Sequence, residues 1–375
     1  NGRNYGRARI YQFNGTSWSQ LGSDILGETS SDYSADAVDI SSDGSIVAIG
    51  AISNDDGGNN SGHVRIYKYR TVSHTEWNST TIVIATASQT DVYNSGRSGD
   101  IYSATTKYWI KLGNDIDGEV ALEAIGDSIS LNSDGTILAV GVPAYSTSTG
   151  QVRIYQYDGT TWNQLGSDID GESTGDLFGE SISLSANGKT IAVGAYSSSG
   201  GGTDRGRVYI YNYNGSSWSQ VGSNINGSVD NENFGKVVSL SSDGNILASS
   251  AYFNGNNSGI PGTVRIYKYD GTSSWNQLGD DIDGESNGDD FGSSISISSD
   301  GNIIAIGAPE NSSSAGHTRI YHYNGSGWIK LGSDIDGEAA NDGSGFGISL
   351  SSNGKTVAIG AQSNIDGGSA AGHVR

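Results

Sequence analysis

The sequence predicts an all-β fold, a single propeller of four-stranded antiparallel blades. Three observations carry that expectation: one phrase recurs along the chain, its residues alternate with a period of two, and tight turns punctuate it. The cleanest copy reads GQVRIYQYDGTTWNQLG from Gly150 to Gly166, then SDIDGESTGDLFGESISLSANGKTIAVGA to Ala195. The phrase returns as RVYIYNYNGSSWSQVG from Arg207, TVRIYKYDGTSSWNQLG from Thr263 and HTRIYHYNGSGWIKLG from His317. Tyr155, Tyr211, Tyr267 and Tyr321 mark a period of 54–56 residues.

Each element has a local cause. Val152, Ile154 and Gln156 alternate with Arg153, Tyr155 and Tyr157, which sends one set to each side of a strand. Asp158-Gly159 and Asn214-Gly215 suit two-residue hairpin turns, since both residues tolerate positive φ. Ser242 to Gly244 and Ser299 to Gly301 form a second tight turn. No stretch has helical periodicity with caps. Each period then holds four strands, SISLS, TIAVGA, VRIYQY and TWNQLG, and a ring of such sheets removes most open edges. Residues 1–22 carry only the last two strands and 347–361 only the first two, so head and tail should complete one blade. GHVR at 372–375 duplicates the strand at 6–13.

The blade count turns on the 88 residues from Tyr67 to Tyr155. Ile101-Tyr102 precedes Trp109 as Tyr155 precedes Trp162, and TIVIATAS from Thr81 resembles TIAVGA. A seventh, shortened blade is the preferred reading, with six blades and a hairpin inserted at 71–107 as the alternative. Residues 1–375 make one propeller domain. There is no methionine among the 375 residues, so the chain reads as processed or as an excerpt of a longer one.

Composition excludes several functions. Lys+Arg number 20 against 41 Asp+Glu, a formal charge of −21 that repels phosphate backbones and anionic lipid. Nucleic acid is therefore not an expected partner. No apolar run nears the roughly 20 residues of a membrane span, so no membrane insertion is expected. With no cysteine, disulfides, thiolate metal sites and a cysteine nucleophile are absent.

Phe291-Gly292 followed by Gly307-Ala308-Pro309 resembles the FG-GAP repeat, the unit of the seven-bladed propeller of integrin α subunits. Phe178-Gly179 with Gly194-Ala195, Phe234-Gly235, and Phe346-Gly347 with Gly360-Ala361 are looser copies. The fuller form, WxQLGxDIDGE before FG, is similar to repeats in large secreted or surface proteins of marine bacteria and some algae. The resemblance implies a fold and an extracellular or cell-surface location. Integrin-type repeats place an aspartate-rich calcium loop between FG and GAP. Here that place holds only SSDG or SANG.

Loop lengths separate two rims. The short SSDG and NGTSW turns should share one, and the long connections the other, where a partner would bind. The acidic connection repeats as Asp168, Asp170, Glu172 and Asp176, as Asp281, Asp283, Glu285 and Asp289, and as Asp334, Asp336, Glu338 and Asp342. D-x-D-G-E offers calcium several oxygens about a glycine bend. Capping of turn amides by Asp explains the same pattern. Asn224, Asn226 and Ser228 keep the spacing without the carboxylates, which favours capping over calcium.

The tryptophans at one strand position fit packing between blades better than glycan stacking. Tyr145, Tyr196 and Tyr252 are the rim aromatics that a carbohydrate ligand would use. His63, His317 and His373 occupy one point of three repeats, so the ring separates them and they form no common metal site. Catalysis needs unlike groups in one pocket, whereas every conspicuous residue here is copied from blade to blade. The expected function is non-catalytic: an adhesion or protein-interaction module at a cell surface or in an extracellular assembly. A glycan-binding propeller is the alternative, and a glycoside hydrolase comes last.

Overall fold

The computed structural model describes residues 6–29, 32–76, 82–85, 90–93, 102–251, 261–365, 368 and 371–375, without the side chains of 72–106. It is a six-bladed, all-β propeller rather than a seven-bladed one. Blade 1 comprises Ser34–Ile40, Ile46–Ala51, His63–Glu76 and Tyr102–Lys111. Blade 2 is Ser128–Leu131, Ile137–Val142, Gln151–Tyr157 and Trp162–Gln164, and blade 3 is Ser181–Leu184, Thr190–Ala195, Arg207–Tyr213 and Trp218–Gln220. Blade 4 follows as Val238–Leu240, Ile246–Ala251, Thr263–Tyr269 and Trp275–Gln277, and blade 5 as Ser294–Ile297, Ile303–Ala308, His317–Tyr323 and Trp328–Lys330. Blade 6 holds Ser344–Leu350, Val357–Ala361 and His373–Val374. Within each blade the strands pair antiparallel in sequence order.

Residues 71–107 correct the count. His63–Glu76 pairs continuously with Tyr102–Lys111, from Tyr67↔Lys111 to Glu76↔Tyr102. Tyr69 faces Trp109 as Tyr157 faces Trp162, so both belong to one blade. The extra residues lengthen the hairpin where blades 2 to 5 have a short turn, and among the described residues Ile82–Ala85 pairs with Thr90–Tyr93 alone. Thr81 and Ile101, which open the two segments that suggest a shortened blade, lie outside the described residues.

The short hairpins are also not two-residue turns. Tyr157 pairs with Trp162, which leaves Asp158 to Thr161 as the loop. The Asp158 carboxylate caps it by accepting the N–H groups of Thr160 at 2.8 Å and Thr161 at 2.9 Å. Two capped amides stabilise the longer loop.

Neighbouring blades are stitched at the centre. The N–H of Ser42 donates to the Ser133 carbonyl, Ser133 to Ala186, Ala186 to Ser242, Ser242 to Ser299 and Ser299 to Ser352, each at 2.9–3.0 Å. These six inner turns mark the six blades. The core lies between sheets: Ile191, Val193 and Ala195 of blade 3 pack on Val152 and Ile154 of blade 2, while Ala192 faces Phe234 and Leu247. Both strand faces are buried, which is why the alternation in the sequence pairs apolar residues with aromatic ones.

The chain ends differ from expectation. Val357–Ala361 pairs with His373–Val374 of the same terminus. Arg7–Ala8 pairs with Ile25–Leu26, and Tyr11–Phe13 with Trp18–Gln20. No ladder among the described residues joins the two ends. GHVR thus supplies the third strand of blade 6 from the same terminus, in place of its distant duplicate at the N-terminus.

Candidate functional site

In blades 1, 2, 3 and 5 the two long connections meet, on one rim as the loop lengths predict. The Leu177 and Phe178 N–H groups donate to the Ser148 and Thr149 carbonyls, and Asn231 to Thr203. In these blades the acidic connection thus lies on the loop between the second and third strands of the blade it leaves. A shallow polar hollow of about 360 Å³ opens between two such segments, lined by Ser173, Thr174, Gly175, Asp176, Ser197, Ser199, Gly200 and Asp204. Asp176 is buried there, and burial pushes its carboxyl above the usual range.

The acidic residues meet arginines. Arg153, itself 1% exposed, reaches Glu123 at 3.0 Å, Glu119 at 3.5 Å and Asp168 at 3.9 Å. Arg265 meets Glu232 at 2.5 Å and Asp281 at 2.9 Å. Arg319 meets Glu285, and Asp334 at 2.9 Å. Its bonds hold Asp334 down at about 2. Arg207 takes Glu172 at 2.7 Å, and Arg375 takes Glu338 at 3.3 Å. Asp170 and Asp283 accept from Gln151 and Thr263, each at 2.8 Å. Asp289 and Asp342 accept from Asn311 at 2.8 Å and Asn364 at 3.1 Å. Asp336 stands beside His317.

These contacts account for the loop that lacks carboxylates. Blade 3 has Tyr209 where its neighbours have arginine, and Asn224 replaces the aspartate that would have paired with it. Ser228 stands where Glu172 and Glu285 stand, and it receives Arg265 at 3.0 Å while Glu232 supplies the charge. The arginines were the missed residues. Their signal is in the sequence: VRIY at 152–155 and 264–267 and TRIY at 318–321, each followed by D-x-D.

The aromatics serve the same junctions. The Trp162 indole N–H donates to the Leu112 carbonyl of blade 1 at 2.8 Å, and Trp218 to Leu165 of blade 2 at 2.8 Å. The ring lies so close over Gly166 that a Cβ there would sit 2.9 Å from it. Tyr145 lies under the Arg153 guanidinium and Tyr196 under the Lys236 ammonium, at 5.8 and 3.9 Å. Tyr252 lies outside the described residues.

The repeat of the sequence and the form of its blades decide the family resemblance together. A model of the FG-GAP repeat matches residues 168–211. The chain is a β-propeller that carries FG-GAP repeats. One looser copy needs correction: the bridge Gly316↔Ser344 takes the place of Gly150↔Phe178, so Ser344-Gly345, not Phe346-Gly347, stands at the FG position of blade 6. The exposure of Phe346, 54% against 1% for Phe178, follows from that register. No curated protein is significantly similar in sequence. Among solved structures, a putative 6-phosphogluconolactonase from Bacteroides uniformis is similar in fold, with a TM-score of 0.55 and 13% identity over 94% of this chain and 84% of that one. No helix among the described residues is long and apolar enough to cross a membrane.

Proposed function

We propose that this propeller is a non-catalytic protein-interaction module, displayed at the cell surface or secreted, whose long-loop rim meets a protein partner. One observation carries the reading. The groups that recur from blade to blade are engaged in joining blades, so individuality is left to the rim loops such as 54–62, 197–206 and 311–316. A rigid frame with variable loops on one side is built for recognition. The similarity to secreted and surface repeat proteins supports a location outside the cell.

A glycan is a weaker partner because Tyr145 and Tyr196 already carry a cation on the ring. Calcium in the acidic loops is weaker because most of their carboxylates already meet a side-chain donor. A hydrolase draws support only from a neighbour whose likeness extends to fold alone. The test is to immobilise the full chain, expose it to surface extracts of its source, and repeat with loop 197–206 replaced by a short Gly-Ser turn. Capture of a protein that the folded loop variant no longer holds is expected. Equal capture by both, or turnover of glycosides by the chain, overturns the proposal.

A further inference from the structure

In blades 1 to 5 the first residue of the third strand varies between histidine, glutamine, arginine and threonine, and it faces the blade's own D-x-D segment, or Asn224-x-Asn226 in blade 3. The opposed pairs are His63↔Asp117, Gln151↔Asp170, Arg207↔Asn226, Thr263↔Asp283 and His317↔Asp336. Where the residue is Gln151 or Thr263 it donates to the carboxylate opposite. Histidine behaves otherwise. His63 is completely buried, and neither of its ring nitrogens has a hydrogen-bond partner. His317 is 2% exposed, and its Nε2 is likewise unpartnered.

Buried polar atoms in native proteins are nearly always satisfied, so these nitrogens call for an explanation. Carboxylates stand beside them. Ligand atoms of Asp56, His63 and Asp117 lie within 4.8 Å of one another, as do those of His317, Asp334 and Asp336. Donors each about 2.0–2.2 Å from a common ion are spaced by roughly 3–4.4 Å. The 4.8 Å limit on each group lies close to that range, and no hydrogen bond joins its members to one another.

We propose that His63 with Asp56 and Asp117, and His317 with Asp334 and Asp336, bind a divalent first-row transition ion of the zinc class. Imidazole with two carboxylates suits such an ion, whereas calcium takes an all-oxygen shell. Three protein ligands leave one position for water or for a side chain of the rim's partner. The two sites differ in strength. Asp334 is shared with Arg319 and Lys330. Neither Asp56 nor Asp117 meets a lysine or arginine among the described residues, and the nearby cations Arg65 and Lys111 pair with Glu28 and Asp115 instead. The His63 site is therefore the tighter.

The full chain, stripped with a chelator and dialysed, is titrated with zinc by calorimetry while bound metal is counted by mass spectrometry. Two ions are expected, the first bound about tenfold more tightly or better. His63→Gln, which copies the residue of blade 2, removes the tighter ion, and His317→Gln removes the weaker. Asp56→Asn alters a surface residue and leaves the buried ring in place, so it tests the first site even if His63→Gln unfolds. It should weaken zinc there at least tenfold. Zinc uptake that is absent in the wild type, undiminished in these variants, or abolished by equimolar calcium overturns the proposal.

Discussion

The third residue of the third strand is Arg153 in blade 2 and Tyr209 in blade 3. The arginine gathers Glu119, Glu123 and Asp168 from the connections on either side of its blade. The tyrosine packs its ring edge-on against Phe178 at 5.3 Å, and burial pushes its hydroxyl up to about 12. Around the first, carboxylates accumulate. Beside the second the corresponding position is Asn224. Acids follow the cation, so the recurrent D-x-D-G-E is half of a clamp between blades, and its absence in one repeat reports the absence of the other half.

The largest effect should come from opening the clamp on one side. Arg153→Met leaves Glu123, 1% exposed, buried without its cation. Removing one partner of a buried ion pair costs about 3–5 kcal/mol. Urea unfolding should show that loss, and a loss under about 1 kcal/mol would mean the pair is dispensable.

A second contrast between blades lies on the innermost strand. The hydroxyls of Ser130, Ser183, Ser239 and Ser296 accept the N–H groups of Leu184, Leu240, Ile297 and Leu350 in the following blade. In blade 1 the acceptor for Leu131 is Asp39, at 2.6 Å. Burial pushes Asp39 up to about 6, against the lowering effect of the Leu131 and Ile40 amides. The folded state therefore holds a proton that the unfolded chain releases near 4. The fold is favoured by acid, and the ionised carboxylate weakens it as pH rises through 6. Asp39→Ser should add about 2 kcal/mol at pH 7.5, with the gain fading below pH 4. A gain that persists at pH 3.5 would point to packing instead.

The fold was legible because six copies of one pattern average out local ambiguity. The alternation in VRIYQY and the Asp-Gly and Asn-Gly signals mark strands and hairpins in blades 2 to 5. The inserted hairpin was not legible, because Tyr102 and Trp109 reproduce a spacing that belongs to Tyr155 and Trp162 although Tyr102 pairs with Glu76 in a longer ladder. The arginine clamp could have been read. Tyr209 and Asn224 change together within a single repeat, but the cations that the acids meet are hidden among the alternating residues of a strand. His63 and His317 belong to different blades, and the carboxylates beside them lie opposite on their own sheets, a pairing that the repeat spacing alone does not display.

The smallest effect tests the comparison most directly, because it asks blade 3 to become blade 2. Tyr209→Arg alone should destabilise, since the new guanidinium loses the aromatic packing and faces Asn224. Asn224→Asp alone adds a charge with no arginine to meet it. Together they recreate the arrangement of Arg265 and Asp281, which lie 2.9 Å apart in blade 4. Groups in one ion-pair network couple by roughly 0.5–3 kcal/mol, and a partly exposed aspartate places this pair near 1–2 kcal/mol. A four-member thermal unfolding cycle reads that coupling. Additive changes would mean that the joint departure of Tyr209 and Asn224 from the repeat has no electrostatic cause, and the acids of the other blades would then need a different explanation.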